Sequence, residues 1–527
     1  MSNGSNSELV CIDKANRSSY CRKLSPKMYI SYQWSVCVSI NDYQSIYRAI
    51  KIEIRFFMNC LFPKPSLLLG LVLLFAPSFC LAQTNSIATS NDNLRELQRY
   101  QSQLEEFESE FGPFNIQLIE PLSSIINIHA EQENFERVAE LQVRQLSIMR
   151  MELGIESPDI IPLIRSMIEV QQVLGNWGAV SDHLDHLRSL NGSNYGPESE
   201  ELLNAMENQA QWLLAEFYLG ERRSQSDKFL DAREIYRDIS RLAERIYGED
   251  SAALYPWYYK RAYNLAILVQ LLNTEDGFSQ DFVRDVYERD GPGRLEGRWG
   301  SYTQDLFRRI PVVEDRNGVV GEDYIKQGIG YINDIRSIAS NLGDLEAEAM
   351  ADLYRGDFNI LMKRSSGRRQ FNEAREKLLV AGVDQADIDK FFSNPMPLPV
   401  PEFFTRFKDL LSYQERIIGE VEGLPEGVVH LGAFRAWHEN ARAVLKPISK
   451  DPLLRIGLPQ YQVDLEFNIS SRGVASSVDI LSSIPEGRHV TRGAVRAVRE
   501  MKFRPFYEDG RARRIRDVQM KYFFPQQ

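Results

Sequence analysis

Tyr195-Gly-Pro-Glu-Ser-Glu200 is one of four like segments. The others are Phe111-Gly-Pro-Phe-Asn-Ile116, Leu153-Gly-Ile-Glu-Ser-Pro158 and Tyr247-Gly-Glu-Asp-Ser-Ala252. Their glycines, Gly112, Gly154, Gly196 and Gly248, stand 42, 42 and 52 residues apart. Between the first three a second signal keeps the same interval, Asn134-Phe-Glu-Arg-Val138 and then Asn176-Trp-Gly-Ala-Val180. Phe229-Leu-Asp-Ala-Arg-Glu234 continues it, and Phe371-Asn-Glu-Ala-Arg-Glu376 repeats it later. Each unit reads as helix, short turn, helix and a stop, because glycine just past the last helical residue is the favoured C-cap.

Working outward from these stops, apolar residues keep helical spacing, as in Leu118, Leu122, Ile125, Ile126 and His129, or Val138, Leu141, Leu146 and Met149. A single helix pair cannot bury such a face alone, so neighbours are expected to stack into a solenoid. This pattern resembles the tetratricopeptide repeat family over roughly 95–275 and again over 327–392. Val138 and Val180 depart from it, in a slot usually held by Ala. The resemblance implies an array that presents a surface to a protein partner. The expected blocks are helical repeats over 83–275, an irregular insert over 276–326 and further repeat-like helices over 327–394. The insert is read from the glycines at 291, 293, 297 and 300 and the turn Asp315-Arg-Asn-Gly318. Pro395-Met-Pro-Leu-Pro-Val-Pro401 then reads as a stiff extended linker, with a helix completing 395–425.

Beyond the linker the period changes from 3.6 to 2. Val463-Asp-Leu-Glu-Phe-Asn-Ile469 alternates apolar and polar residues, Ser470-Ser-Arg-Gly473 turns the chain, and Val474 to Leu481 returns. Ala494, Val495, Val498 and Met501 lie on one face of a short helix, with Arg492, Arg496 and Arg499 on the other. Val518, Met520, Tyr522 and Phe524 alternate in a last strand. The expected fold is α+β and multidomain, an all-α repeat solenoid followed by a small β-β-α-β domain over 426–527.

This tail resembles the C-terminal domain of TonB-type energy transducers. The resemblance rests on "VDLEFNIS", Gly473, Pro485, "GAVRAVREMKFRPF", Gly510 and "VQMKYFF", covering about 460–527. The family's Tyr-Pro stretch before the first strand is absent, and Met501 stands where Trp is common. The resemblance implies a module core of Gly473, Ala494, Val498, Phe503, Pro505, Val518 and Tyr522. It also implies a partner captured by strand addition along the final strand, through Arg516, Asp517, Gln519, Lys521 and Phe523, if that strand is an unpaired edge. The cluster Arg511, Arg513, Arg514 and Arg516 offers cations for an acidic partner or lipid, or simply a solvated hairpin edge.

The run Ser66 to Ala82 decides the compartment. Leu67 to Phe79 carries no charge yet falls short of the ~20 apolar residues a membrane span needs. It suits a signal h-region of ~7–15 residues, with Cys80-Leu-Ala82 as the cleavage site. Met58 with Lys64 would begin that signal, leaving 1–57 as an upstream extension, disordered, and 58–82 as signal peptide or anchor. If uncleaved, eight Lys/Arg against four Asp/Glu in 1–57 keep the N-terminus cytoplasmic. Either way the rest of the chain is exported. The expected location is the periplasm after cleavage near Ala82, the alternative a single-pass inner-membrane protein with a periplasmic C-terminal part. All five cysteines precede Gln83, which suits an oxidising compartment and removes cysteine nucleophiles and thiolate metal sites from the mature chain.

The net charge of −11 divides into +5 for residues 1–82, −22 for 83–445 and +6 for 446–527. An acidic body with a basic tail, exported and without a nucleic-acid motif, points to protein partners such as outer-membrane receptors or other envelope proteins. Membrane contact is expected only through 66–82, if uncleaved. His183-Leu-Asp-His186 offers two metal ligands with no third in view. Gly328-Ile-Gly330 lacks the third glycine of a dinucleotide loop, and no Ser/His/Asp set has a recognisable context. Neither a cofactor nor catalysis is expected. The sequence reads as a non-enzymatic adaptor. The alternative is an anchored energy transducer for outer-membrane transport, although no histidine precedes His129 and a transducer's anchor carries a functional one.

Overall fold

The computed structural model describes residues 93–219, 225–273, 277–290, 321–362, 367–419, 428–435, 460–508 and 510–525. The expectations for 1–92, including the signal run, lie outside the described residues. The described residues from Glu96 on fall in one unit, which is mostly helical and ends in a small β region.

Helix α1 spans 93–111. The next helices are α2 (Ile119–Glu131), α3 (Phe135–Leu153), α4 (Ile161–Val173), α5 (Trp177–Tyr195), α6 (Glu200–Leu219), α7 (Gln225–Tyr247) and α8 (Tyr255–Leu272). From α2 to α8 each packs on its sequence neighbour. The repeated corners explain why. Gly112, Gly154, Gly196 and Gly248 all have φ between +80° and +94°, a conformation open to glycine at little cost. Three residues after each glycine stands a side chain that caps the next turn. Asn115 Oδ1 accepts from Gln117 N (2.9 Å), Ser157 Oγ from Asp159 N (3.3 Å), Ser199 Oγ from Leu202 N (3.2 Å) and Ser251 Oγ from Ala253 N (3.3 Å). Asn134 and Asn176 begin the second helix of their pairs. The apolar faces read from the sequence are buried, Leu118, Leu122, Ile125, Val138 and Leu141 among them, while His129 is only half-buried. Where α5 meets α6, Trp177 stacks on Trp212 at 4.7 Å.

The expected irregular insert contains a helix, α9 (Gly277–Asp290), whose Phe282 and Val286 are fully buried. Asp290 anchors it through paired bonds from Arg233 (2.5 and 2.7 Å) and one from Tyr324 (2.6 Å). Glycine at its start and acidic residues along it mask the helical period in the sequence. The Asp315–Gly318 turn lies outside the described residues. Helices α10 (Glu322–Asn341), α11 (Leu345–Leu361), α12 (Arg368–Val380) and α13 (Gln385–Phe392) resume the array. A polar knot ties three of them, with Asp352 accepting from Arg336, Arg355 and Lys377 (2.5 to 3.0 Å).

The proline run is not a linker. Met396–Leu398 forms strand β1, with Met396, Leu398 and Val400 buried, and Tyr259 Oη donates to Val400 O (2.5 Å). β1 pairs antiparallel with β5 (Lys502–Arg504), so the expected boundary between body and tail is a shared β-ladder. Alternating proline leaves every second N–H free to donate, enough for one strand partner at an edge. After it come α14 (Phe407–Gly419), β2 (His430–Arg435), β3 (Gln460–Ile469), β4 (Ala475–Ile484) and α15 (Arg488–Glu500), then β6 (Phe506–Glu508), β7 (Arg511–Arg513) and β8 (Ile515–Pro525). The main sheet has the order β2-β8-β3-β4, β2 running parallel to β8 and the other pairs antiparallel. β6 and β7 form a separate hairpin. α15 covers one face of the main sheet through Val490, Ala494 and Val498, which join Val463, Leu465, Phe467, Val518, Met520 and Tyr522 in one buried cluster.

Candidate partner-binding site

The residues expected to form the tail's core are all inside it. Ala494, Val498, Phe503 and Val518 are fully buried, and Gly473, Pro505 and Tyr522 are buried as well. Gly473 sits at φ +71° with its carbonyl accepting from Phe503 N (2.9 Å), and a Cβ there would fall 1.9 Å from Phe503 O. The β3–β4 turn is thereby locked to β5.

The expected unpaired edge is overturned. β8 is an inner strand, with β3 on one side and β2 on the other. Gln519 N donates to Val429 O (2.9 Å) and Gln519 Nε2 to Glu466 (3.0 Å), so its outward donor is already taken. Asp517 N donates to Asn468 Oδ1 (3.2 Å), and Asp517 lies at φ +54°. Lys521 faces Asp464 at 3.7 Å, Phe523 pairs with Arg435 and Gln462, and Arg516 is exposed at the register shift between the pairs Ile515–Ile469 and Val518–Phe467. Arg516, Asp517, Gln519, Lys521 and Phe523 therefore share a strand but offer no open ladder. The physical reason is β2. Its run Val428-Val-His-Leu-Gly-Ala-Phe434 is apolar enough to signal a strand, but Gly432 interrupts its alternation. Gly432 also lets β2 lie close on α14, where a Cβ would meet Ile417 O at 2.3 Å. Inside β2, His430 is buried and its Nδ1 accepts from Gly432 N (2.8 Å). Burial holds its imidazole below the usual range, Lys521 adding to the effect and Asp464 opposing it.

The far edge of the sheet is different. Among the described residues β4 pairs only with β3, and its outer side carries Ile480, Leu481 and Ile484 at 43%, 51% and 61% exposure. Two register shifts and Ser477 at φ +52° twist it, a device that discourages identical edges from zipping together. Between β4 and α15 lies an open groove of about 540 Å³, lined by Ile480, Thr491, Val495, Glu500 and the exposed Arg492, Arg496 and Arg499. Arg511, Arg513 and Arg514 are exposed on and beside β7, with Arg513 3.6 Å from Glu508.

A further link between tail and body is a buried ion pair that the sequence pattern does not announce. Arg504, wholly inaccessible, donates from Nε to Asp357 Oδ1 (2.9 Å) and from Nη2 to Asp357 Oδ2 (2.6 Å), with Asp357 itself 1% exposed. The Phe391 ring lies 4.8 Å from the guanidinium. Burial pushes the Asp357 carboxyl upward, and Arg504 opposes that shift. Tyr507 adds an edge-to-face contact with Phe371 at 5.3 Å.

Among the described residues no group of three or more His, Cys, Asp or Glu is placed to hold a metal ion. His186 Nδ1 lies 3.3 Å from Arg150 Nη2, and burial first and that cation second hold its imidazole below the usual range. Gly328 and Gly330 are inside α10, Gly328 with Phe358 against it. No described helix is long and apolar enough to cross a membrane.

No family model matches this sequence, and no curated protein matches it. Among solved structures, the chain is similar to one described as "Crystal structure of BtubC (BKLC) from P. vanneervenii". The two are 13% identical, the match covers 56% of this chain and 93% of that one, and the TM-score is 0.27. A value that low carries no argument about fold or function.

Proposed function

We propose that this chain is a non-enzymatic adaptor of the cell envelope: a tetratricopeptide-like scaffold carrying a TonB-C-like module that captures a protein partner by strand addition. The observation that supports it is the edge of β4, unpaired among the described residues and flanked by exposed Ile480, Leu481 and Ile484. An extended segment laid there would gain main-chain hydrogen bonds, with alternate side chains supplying selectivity. The working edge is thus β4 and not β8, whose outer side β2 already fills. The array's repeated corners support a scaffold of stacked helix pairs, and the charge division supports separate partners for body and tail.

Export to the periplasm, with Gln83 as first residue, belongs to the same proposal. N-terminal sequencing of the secreted chain tests it, and an intact 66–82 run would favour the anchored transducer. For the module, a photo-cross-linking residue at Leu481 should trap a protein, whereas the same probe at Lys521 should not. Equal trapping at both positions, or at neither, would refute capture at the β4 edge.

A further inference from the structure

Resting on that reading, we propose that the partner segment is acidic and is recognised by the arginine stripe of α15. Arg488, Arg492, Arg496 and Arg499 are spaced four, four and three residues apart, which puts them on one side of the helix. All four are exposed, and none makes an ion pair among the described residues. Like charges at this spacing repel, so the stripe works against the helix that carries it. Other cations among the described residues are answered: Arg336, Arg355 and Lys377 share Asp352, Arg406 grips Asp344, and Arg233 meets Asp290. Among the described residues that line the groove, Glu500 is the one carboxylate beside Arg492, Arg496 and Arg499.

The groove also has an apolar floor. Val495 and Ile480 lie between the arginines and the β4 edge. An extended segment paired along β4 sends alternate side chains toward α15 and away from it. Carboxylates on the side toward α15 would meet Arg492, Arg496 and Arg499 beside Ile480, and apolar residues on the other side would cover Leu481 and Ile484. A guanidinium binds a carboxylate through two parallel hydrogen bonds, which suits a protein segment rich in Asp or Glu. Acidic-apolar alternation is therefore the expected chemistry of the ligand.

The test uses the full chain and two labelled short peptides, one alternating Glu and Val, the other Lys and Val, followed by fluorescence anisotropy. The Glu peptide should bind at least tenfold more tightly, and rising salt should erase the difference. The R492Q/R496Q/R499Q variant should melt at an unchanged or slightly higher temperature and bind both peptides alike. Equal binding of both peptides by the natural chain would overturn the acidic preference while leaving strand addition standing. A preference that survives in the triple variant would overturn the stripe's role. Binding of neither peptide would overturn both readings. Capture of anionic phospholipid vesicles in place of peptide, lost in the variant, would reassign the stripe to lipid and overturn the proposal. Self-association lost in the variant would reassign it to the acidic body of a second copy, with the same consequence.

Discussion

Replacing Arg504 by methionine probes the joint between body and tail. The substitution keeps the apolar stem among Phe391, Phe371 and Met396 but removes both hydrogen bonds to Asp357. With Arg504 at 0% and Asp357 at 1% exposure, water cannot take over the lost bonds. Removing one partner of a buried pair costs about 3–5 kcal/mol, because a charge is left without compensation. At ~1.4 kcal/mol per factor of ten, opening of the joint should become ~10² to 10³·⁵ times more frequent. Hydrogen exchange at the amides of β1 and β5 reports that opening locally, where a single global free energy is ill-defined for a chain of this size. Replacing both partners by apolar residues, Arg504→Met with Asp357→Leu, removes the uncompensated charge and should recover most of the protection. An R504M protein with less than a tenfold change in exchange, or a double variant as labile as the single one, would refute the reasoning.

Gly473→Ala should destabilise the tail by more than the ~1–2 kcal/mol of a left-handed backbone alone, because its Cβ falls 1.9 Å from Phe503 O; an unchanged melting temperature would count against the lock on β5. His430 binds fewer protons folded than unfolded, so the stability it lends β2 is whole above the unfolded value of ~6.5 and is lost as pH falls through the depressed folded value. Protection factors of β2 amides, with the intrinsic pH dependence of exchange divided out, should fall on acidification in the natural chain and not in His430→Asn. At Asp344, burial acts upward, but Arg406 and the N–H of Ala347 outweigh it and hold the carboxyl below its usual range. Its contribution is therefore present above the unfolded value of ~3.9 and lost as pH falls through the folded one, and Asp344→Asn should flatten the melting temperature across that acid window.

The sequence by itself determined what depends on near neighbours. Glycine at each corner, a cap three residues on, and apolar residues at helical or alternating spacing set α2 to α8, the β3–β4 hairpin, α15 and β8, because each signal acts within a few residues of backbone. It also identified the buried face of the tail, where Ala494, Val498, Val518 and Tyr522 follow their local period. The tertiary structure alone decided which strands lie side by side. Nothing in Val518 to Phe523 says that His430 to Arg435 will pair along it, because a strand's hydrogen-bonding groups are the same whatever its sequence. Nor does Phe503-Arg-Pro505 announce a buried charge: an arginine reads as surface until the carboxylate that answers it, 147 residues away at Asp357, is brought to 2.6 Å. The proline run was misread for the same reason, since alternating prolines fix an extended backbone without saying whether water or β5 lies beside it.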